Sequence, residues 1–279
     1  MWSSTALLSF QDRLSPRRSS AFTLIELLVV VGISLVMTAI TIPALNALKN
    51  SSDATSAAYD ISGMLQFARS YAMTNDTYVY VGVEEADASV SPGSGQQHVG
   101  TGRLALSAVA SKDGTPGYTV GSSGITGWAG ASGTSSLVQI AKLLRVENLH
   151  AATSLGALPS TGSMSASTGR RDVSAKSPSY ELMAATSGSS ATPFNYPLNS
   201  TSPQYSFTQV IQFDPQGAAR FQIPNWTDTS EVPWCIELFL QQTHGTTPQP
   251  YTNTGGSIQG NVVSIQVDGM TGGVRIFRP

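Results

Sequence analysis

The chain has 279 residues, 11% of them charged, with a net charge of −2. So thin and slightly acidic a charge gives no strong electrostatic footprint for nucleic acid. A single cysteine, Cys235, excludes an intrachain disulfide. It sits in an apolar run that reads as a strand, where a buried, inert thiol is expected.

Taken in chain order, residues 1–21 carry Arg13, Arg17 and Arg18 and then the small residues Ser19, Ser20 and Ala21. The run FTLIELLVVVGISLVMTAITIPALNAL follows, from Phe22 to Leu48, with Glu26 its one charged residue. A typical bilayer needs about 20 apolar residues to cross, and the arginines precede the run. The positive-inside rule therefore puts the N-terminus in the cytoplasm and everything after residue 50 across the membrane. A carboxylate in hydrocarbon costs on the order of 2–3 kcal/mol or more and marks a function or a specific partner. Two plainer readings compete: an ordinary secretory signal cut after Ala47, and a simple single-pass anchor. The signal has the order wrong, since its small residues should follow the apolar core. The anchor leaves Glu26 without a reason.

A basic leader, a small residue, Phe, and Glu four residues later resemble the class III leader of type IV prepilins and type II secretion pseudopilins. The resemblance implies cleavage by a prepilin peptidase between Ala21 and Phe22, with N-methylation of the new Phe22 amine. Most members of the family have Gly where this chain has Ala21. It further implies that Glu26 pairs with the Phe22 amine of a neighbouring subunit and so sets register during assembly. Pro43 corresponds to a proline found in many pilin helices, where it removes one backbone donor and kinks or loosens the helix.

Beyond the span, Ile61, Met64, Leu65, Ala68, Tyr71 and Ala72 recur at three- and four-residue steps, so residues 49–75 are expected to continue the helix with one apolar stripe. Residues 76–279 read as a β-rich domain. Strands are expected at 77–83, 103–110, 205–213, 219–223, 235–241, 261–267 and 273–277. Asp214-Pro-Gln-Gly217 and Asp268-Gly-Met-Thr-Gly-Gly273 have hairpin-turn chemistry. Leu137 to Asn148 fits a short helix or a strand equally well. Residues 86–102, 111–136 and above all 151–204 are rich in Ser, Gly, Thr and Pro and read as loops; Phe194 and Tyr196 are candidates to tack the last one down.

The expected fold is thus α+β and pilin-like: a long N-terminal helix, kinked near Pro43, packed on a mostly antiparallel sheet. Three stretches resemble the H-type minor pseudopilins (the GspH/FimT group): Leu65 to Val79, Phe213 to Gly217, and Val263 to Arg275. A more distant resemblance is to pilin-like proteins of a lineage-specific gene cassette (the Verru_Chthon cassette type).

No catalytic pattern stands out, and no enzyme activity, cofactor or metal site is expected. His98, His150 and His244 fall in separate regions without metal-ligand spacing. Asp214 and Asp268 sit in loops too poor in carboxylates for calcium. The expected protein is a single-pass inner-membrane subunit with a periplasmic domain, which enters a filament with other pilins or pseudopilins. The alternative is a surface-exposed minor pilin that binds DNA or a surface ligand. The approximate basic grouping Lys142, Arg145, Arg170, Arg171 and Lys176 is the feature to watch for that reading.

Overall fold

The computed structural model describes residues 23–93, 95, 97–116, 118–121, 124–128, 136–152, 170–171, 173, 180–183, 194–200, 202–222, 232–254 and 257–278, with the backbone alone given at 39–53, 118–121, 124–128, 180, 222, 252–254 and 257–259. The chain divides into two compact units, Met1–Ala47 and Leu48–Pro279. One helix, α1 (Leu24–Asn75), comes first.

Strands follow in chain order: β1 (Val79–Asp87), β2 (Gly102–Ser111), β3 (Tyr118–Gly121), β4 (Gly124–Trp128), β5 (Leu137–Gln139) and β6 (Leu144–Ala151). Next are β7 (Tyr180–Glu181), β8 (Phe194–Tyr196), β9 (Tyr205–Phe207), β10 (Gln209–Phe213) and β11 (Ala219–Gln222). The last are β12 (Cys235–His244), β13 (Thr247–Pro248), β14 (Thr252–Thr254), β15 (Ser257–Gln259), β16 (Val262–Asp268) and β17 (Val274–Phe277). The main sheet runs β11-β10-β1-β2-β6-β12-β16-β17, with β5 paired to β2, and β7 and β13 paired to β12. Its pairings are antiparallel except β7 on β12. Helix plus antiparallel sheet is the α+β class the sequence implies.

Leu137 to Asn148 resolves into β5 and most of β6. In β6 half-buried and exposed positions alternate over its first residues, the period of a strand at a surface. The expected strand 205–213 is broken at Thr208 into β9 and β10, because the chain leaves the main sheet there.

The second half of α1 lays Ala54, Ala57, Ala58, Ile61, Leu65, Ala68 and Ala72 on one face of the sheet. Its partners there include Val79, Val81, Val83, Ile236, Leu238, Leu240, Val263, Ile265 and Val267, alternate residues of their strands. Small helix residues let the backbone approach the sheet closely. The helix stops at Asp76, whose φ of 48° is left-handed, while the Thr77 N–H bonds the Ala72 carbonyl at 3.1 Å. That is a Schellman-type end made with Asp in place of Gly.

The other face of the sheet is covered as well. The β8–β9 hairpin places Phe194, Tyr205 and Phe207 over Tyr80, Ala105, Val109 and Val210. A third cluster gathers Phe239, Val262 and Phe277. The stretch 151–204 reads as loop from its composition, yet its described parts are bound into the fold. Leu182 and Met183 join the main core, and Phe194 is fully buried.

Turns at the two ends of the sheet order meet. The Ala219 N–H donates to the Gly269 carbonyl at 2.7 Å. A Cβ added at Gly272 would collide with the Gly217 carbonyl oxygen. From α1, Arg69 Nε donates to the Thr271 carbonyl at 2.6 Å, tying the helix to the same junction.

Candidate functional site

The first turn of α1 is closed by its own side chains. Thr23 lies just before the helix and Glu26 falls in its first turn. The Thr23 N–H and hydroxyl both lie 3.3 Å from Glu26 Oε2, and the Glu26 N–H lies 3.3 Å from Thr23 Oγ1. This is a reciprocal capping box: each side chain satisfies the other residue's backbone donor, two of the four that a helix start leaves unpaired. The carboxylate also sits at the positive end of the helix dipole. Thr23-Leu-Ile-Glu26 is a T-x-x-E pattern ahead of an apolar run, the sequence signature of such a cap. Ala21 and Phe22, the expected cleavage and methylation residues, lie outside the described residues.

From here the helix is apolar on every side. Leu24, Ile25, Leu27, Leu28, Val29, Val30, Val31, Ile33, Leu35, Val36 and Met37 are 48–82% exposed. Residues 27–31 alone span more than one 3.6-residue turn, so no face of this stretch is polar. The hydroxyls within it turn inward on the backbone: Ser34 Oγ donates to the Val30 carbonyl and Thr38 Oγ1 to the Ser34 carbonyl, each at 2.8 Å. That removes their unmet polar demand without adding a charge. Pro43 lies inside the helical backbone of α1, and the side chains of Pro43 and Leu48 lie outside the described residues. Among the described residues no helix is long and apolar enough to cross a membrane; described side chains of the apolar run stop at Thr38.

On the β domain Glu85, Asp113, Asp214 and Asp268 hold strands and turns. Glu85 is buried and accepts from the Gly102 N–H at 3.0 Å and the Ala151 N–H at 3.2 Å, with His150 Nδ1 2.9 and 3.0 Å from its two oxygens. It thereby pins the β2–β6 pairing at the irregularity between Gly102 and Arg103. Asp113 accepts from the Ser111 hydroxyl and from the Thr115 N–H and hydroxyl, which hold its carboxyl down at about 2. Asp214 accepts from the N–H groups of Gln216 and Ala218 within its turn. Burial pushes the Asp268 carboxyl up, but hydrogen bonds from Thr271 and the charge of Arg171 outweigh it and leave it low. Among the described residues no three His, Cys, Asp or Glu side chains gather as a metal site.

The basic grouping noted in the sequence does not form a patch. Arg170 is buried, its Nε 2.8 Å and its Nη2 3.0 Å from the two oxygens of the buried Glu237, which also accepts from Ser264 and Gln266. Arg171 pairs with Asp268, donates to the Trp234 carbonyl and lies 5.3 Å over the Trp234 ring. Arg145 donates to the Pro92 carbonyl, Lys142 is exposed in the short connection between β5 and β6, and Lys176 lies outside the described residues.

Against known proteins, residues 16–42 match the prokaryotic N-terminal methylation motif. No curated protein and no solved structure matches the chain. The match begins at Pro16 ahead of the arginine pair, takes in Ala21, Phe22, Thr23 and Glu26, and stops one residue short of Pro43. Residues 16–42 therefore carry the N-methylation motif of prokaryotic prepilin-type proteins.

Proposed function

We propose that this chain is a minor pseudopilin, a structural subunit of a type II secretion pseudopilus or a related type IV pilus-like filament, and not an enzyme. The observation that carries the reading is the conjunction at the N-terminus. A methylation motif covers a helix that is apolar all round and holds one carboxylate, capped by its own chain. So much exposed apolar surface needs lipid or other helices around it. In this account a prepilin peptidase cuts between Ala21 and Phe22 and methylates Phe22. The helix from Phe22 to Leu48 then rests in the inner membrane with the β domain in the periplasm. On assembly, Glu26 meets the Phe22 amine of a neighbour. Burying both charges together penalises wrong register more than it adds net stability, because desolvation offsets most of the attraction.

The H-type group is the favoured assignment. Leu65 to Val79 is the end of α1 and the start of β1, Phe213 to Gly217 is the β10–β11 turn, and Val263 to Arg275 covers all but the first residue of β16 and the first half of β17. A DNA-binding role draws less support, since Arg170 and Arg171 are spent on Glu237 and Asp268.

The test is the Glu26→Ala subunit in its host. It is expected to reach the membrane but to be lost from the sheared filament fraction. Entry into filaments at the wild-type level would overturn the assembly role.

A further inference from the structure

The sheet carries a polar notch on the face turned away from α1. Cys235 and Glu237 on β12 stand opposite Asp268 and Gln266 on β16, and Gln266 stands opposite Arg275 on β17. Cross-strand partners share a face, and side chains alternate along each strand. These five therefore point away from the helix, while Ile236, Ile265 and Val267 between them pack into the core. A cavity of about 80 Å³ opens among them, lined by Arg171, Cys235, Gln266, Asp268, Thr271 and Arg275. One water needs roughly 10–15 Å³ of such space, so the notch has room for a group of several heavy atoms.

Its charges do not balance, with two guanidinium groups on the walls against one carboxylate. Arg171 is fully engaged, since it pairs with Asp268, donates to the Trp234 carbonyl and lies over the Trp234 ring. Both Asp268 oxygens are satisfied. Oδ2 meets Arg171, and Oδ1 accepts from the Thr271 N–H at 2.8 Å and the Thr271 hydroxyl at 3.0 Å. Gln266 is held at both ends by the Arg171 backbone, accepting from its N–H at 2.9 Å and donating to its carbonyl. The next acid along the face, Glu237, is held by Arg170, and Glu181 on β7 lies on the other side of β12. Arg275 is different. It is exposed and has no hydrogen-bond or ion-pair partner among the described residues.

We propose that the notch binds one carboxylate group from outside the domain, with Arg275 as its receptor and the fixed Arg171 as its second wall. A planar guanidinium presents paired N–H groups that match the two oxygens of a carboxylate. One unmatched positive charge calls for a single negative one, and a more highly charged anion would meet repulsion from Asp268. The carboxylate belongs either to a small organic acid or to an acidic side chain of a neighbouring protein. The site lies wholly on the β domain, so it stands apart from any role of the N-terminal helix.

The test is a titration of the full chain in nonionic micelles, with nitrogen-15 on the arginine side chains and the backbone. The probes are acetate and an acetylated, amidated Gly-Asp-Gly peptide, with sodium chloride at equal ionic strength as the control. The Arg275 side chain and the Gly273 amide should shift along a saturating curve with either carboxylate, at millimolar concentration or below. The exposed Arg278 should not saturate. Tighter binding of the peptide assigns the notch to an acidic side chain, and equal or weaker binding assigns it to a small acid. Arg275→Gln should abolish the Gly273 response, and Arg275→Lys, which keeps the charge and loses the fork, should weaken binding by about tenfold. No saturation at Arg275 in the wild type, or the same response to chloride, would overturn the proposal without any variant. So would a Gly273 response that survives Arg275→Gln, or binding undiminished in Arg275→Lys.

Discussion

Thr23 and Glu26 cap each other across the first turn of the helix, every heavy-atom separation being 3.3 Å. Glu26 thus has a partner within its own chain before any neighbour arrives. An intersubunit contact has to compete with that cap. Loss of such a cap typically costs about 1 kcal/mol, or roughly fivefold in local opening. Thr23→Ala in micelles should therefore speed amide exchange at Ile25 and Glu26 by about that factor, while Thr23→Ser, which keeps the hydroxyl, should leave it close to wild type. Equal exchange in both variants would mean the cap is not formed in a membrane-like setting.

The pair Arg170–Glu237 holds residues far apart in the chain against the sheet. Removing the arginine alone strands a carboxylate that is about 1% exposed. Arg170→Met should cost about 3–5 kcal/mol in denaturant unfolding of the full chain in micelles. The double change Arg170→Met with Glu237→Gln removes the uncompensated charge and should recover most of that loss. If the double variant is no better than the single one, packing and not charge accounts for the cost.

Two glycines should respond to alanine in opposite directions. Gly63 is an exposed position in the middle of α1, and a Cβ there meets nothing within 4 Å. Gly63→Ala should stabilise by about 0.5–1 kcal/mol through helix propensity. Gly272 has a φ of 62° and presses on the Gly217 carbonyl and on Arg69, where the two end turns of the sheet meet. Gly272→Ala should destabilise by about 1–3 kcal/mol, from backbone strain and from the turns being forced apart. Midpoints of denaturant unfolding for the two variants, measured together, check both signs.

Much of this architecture was legible in local chemistry. The apolar stripe from Ile61 to Ala72 marks the helix face that meets the sheet, and the valines of β1 mark a strand. Asp214 and Asp268 each begin a turn whose Gly217 or Gly272 takes the left-handed backbone. What stayed hidden depends on partners distant in sequence. Arg170 and Glu237 are 67 residues apart, so the arginine looked like part of a solvated loop. Phe194 could be flagged as an anchor, but its socket exists only because Gly82 lacks a side chain. Residues 137–148 were ambiguous because half-exposed β6 is too polar to show strand propensity. At the N-terminus the pattern Thr23-x-x-Glu26 encodes the intrachain cap locally.

The central claim concerns the N-terminus, and intact mass with N-terminal sequencing of the protein extracted from its host membrane tests it most directly. The account predicts a mature chain that begins at N-methylated Phe22. A chain that still begins at Met1, or one cut after Ala47, would contradict it and leave the Thr23–Glu26 turn without an assembly role.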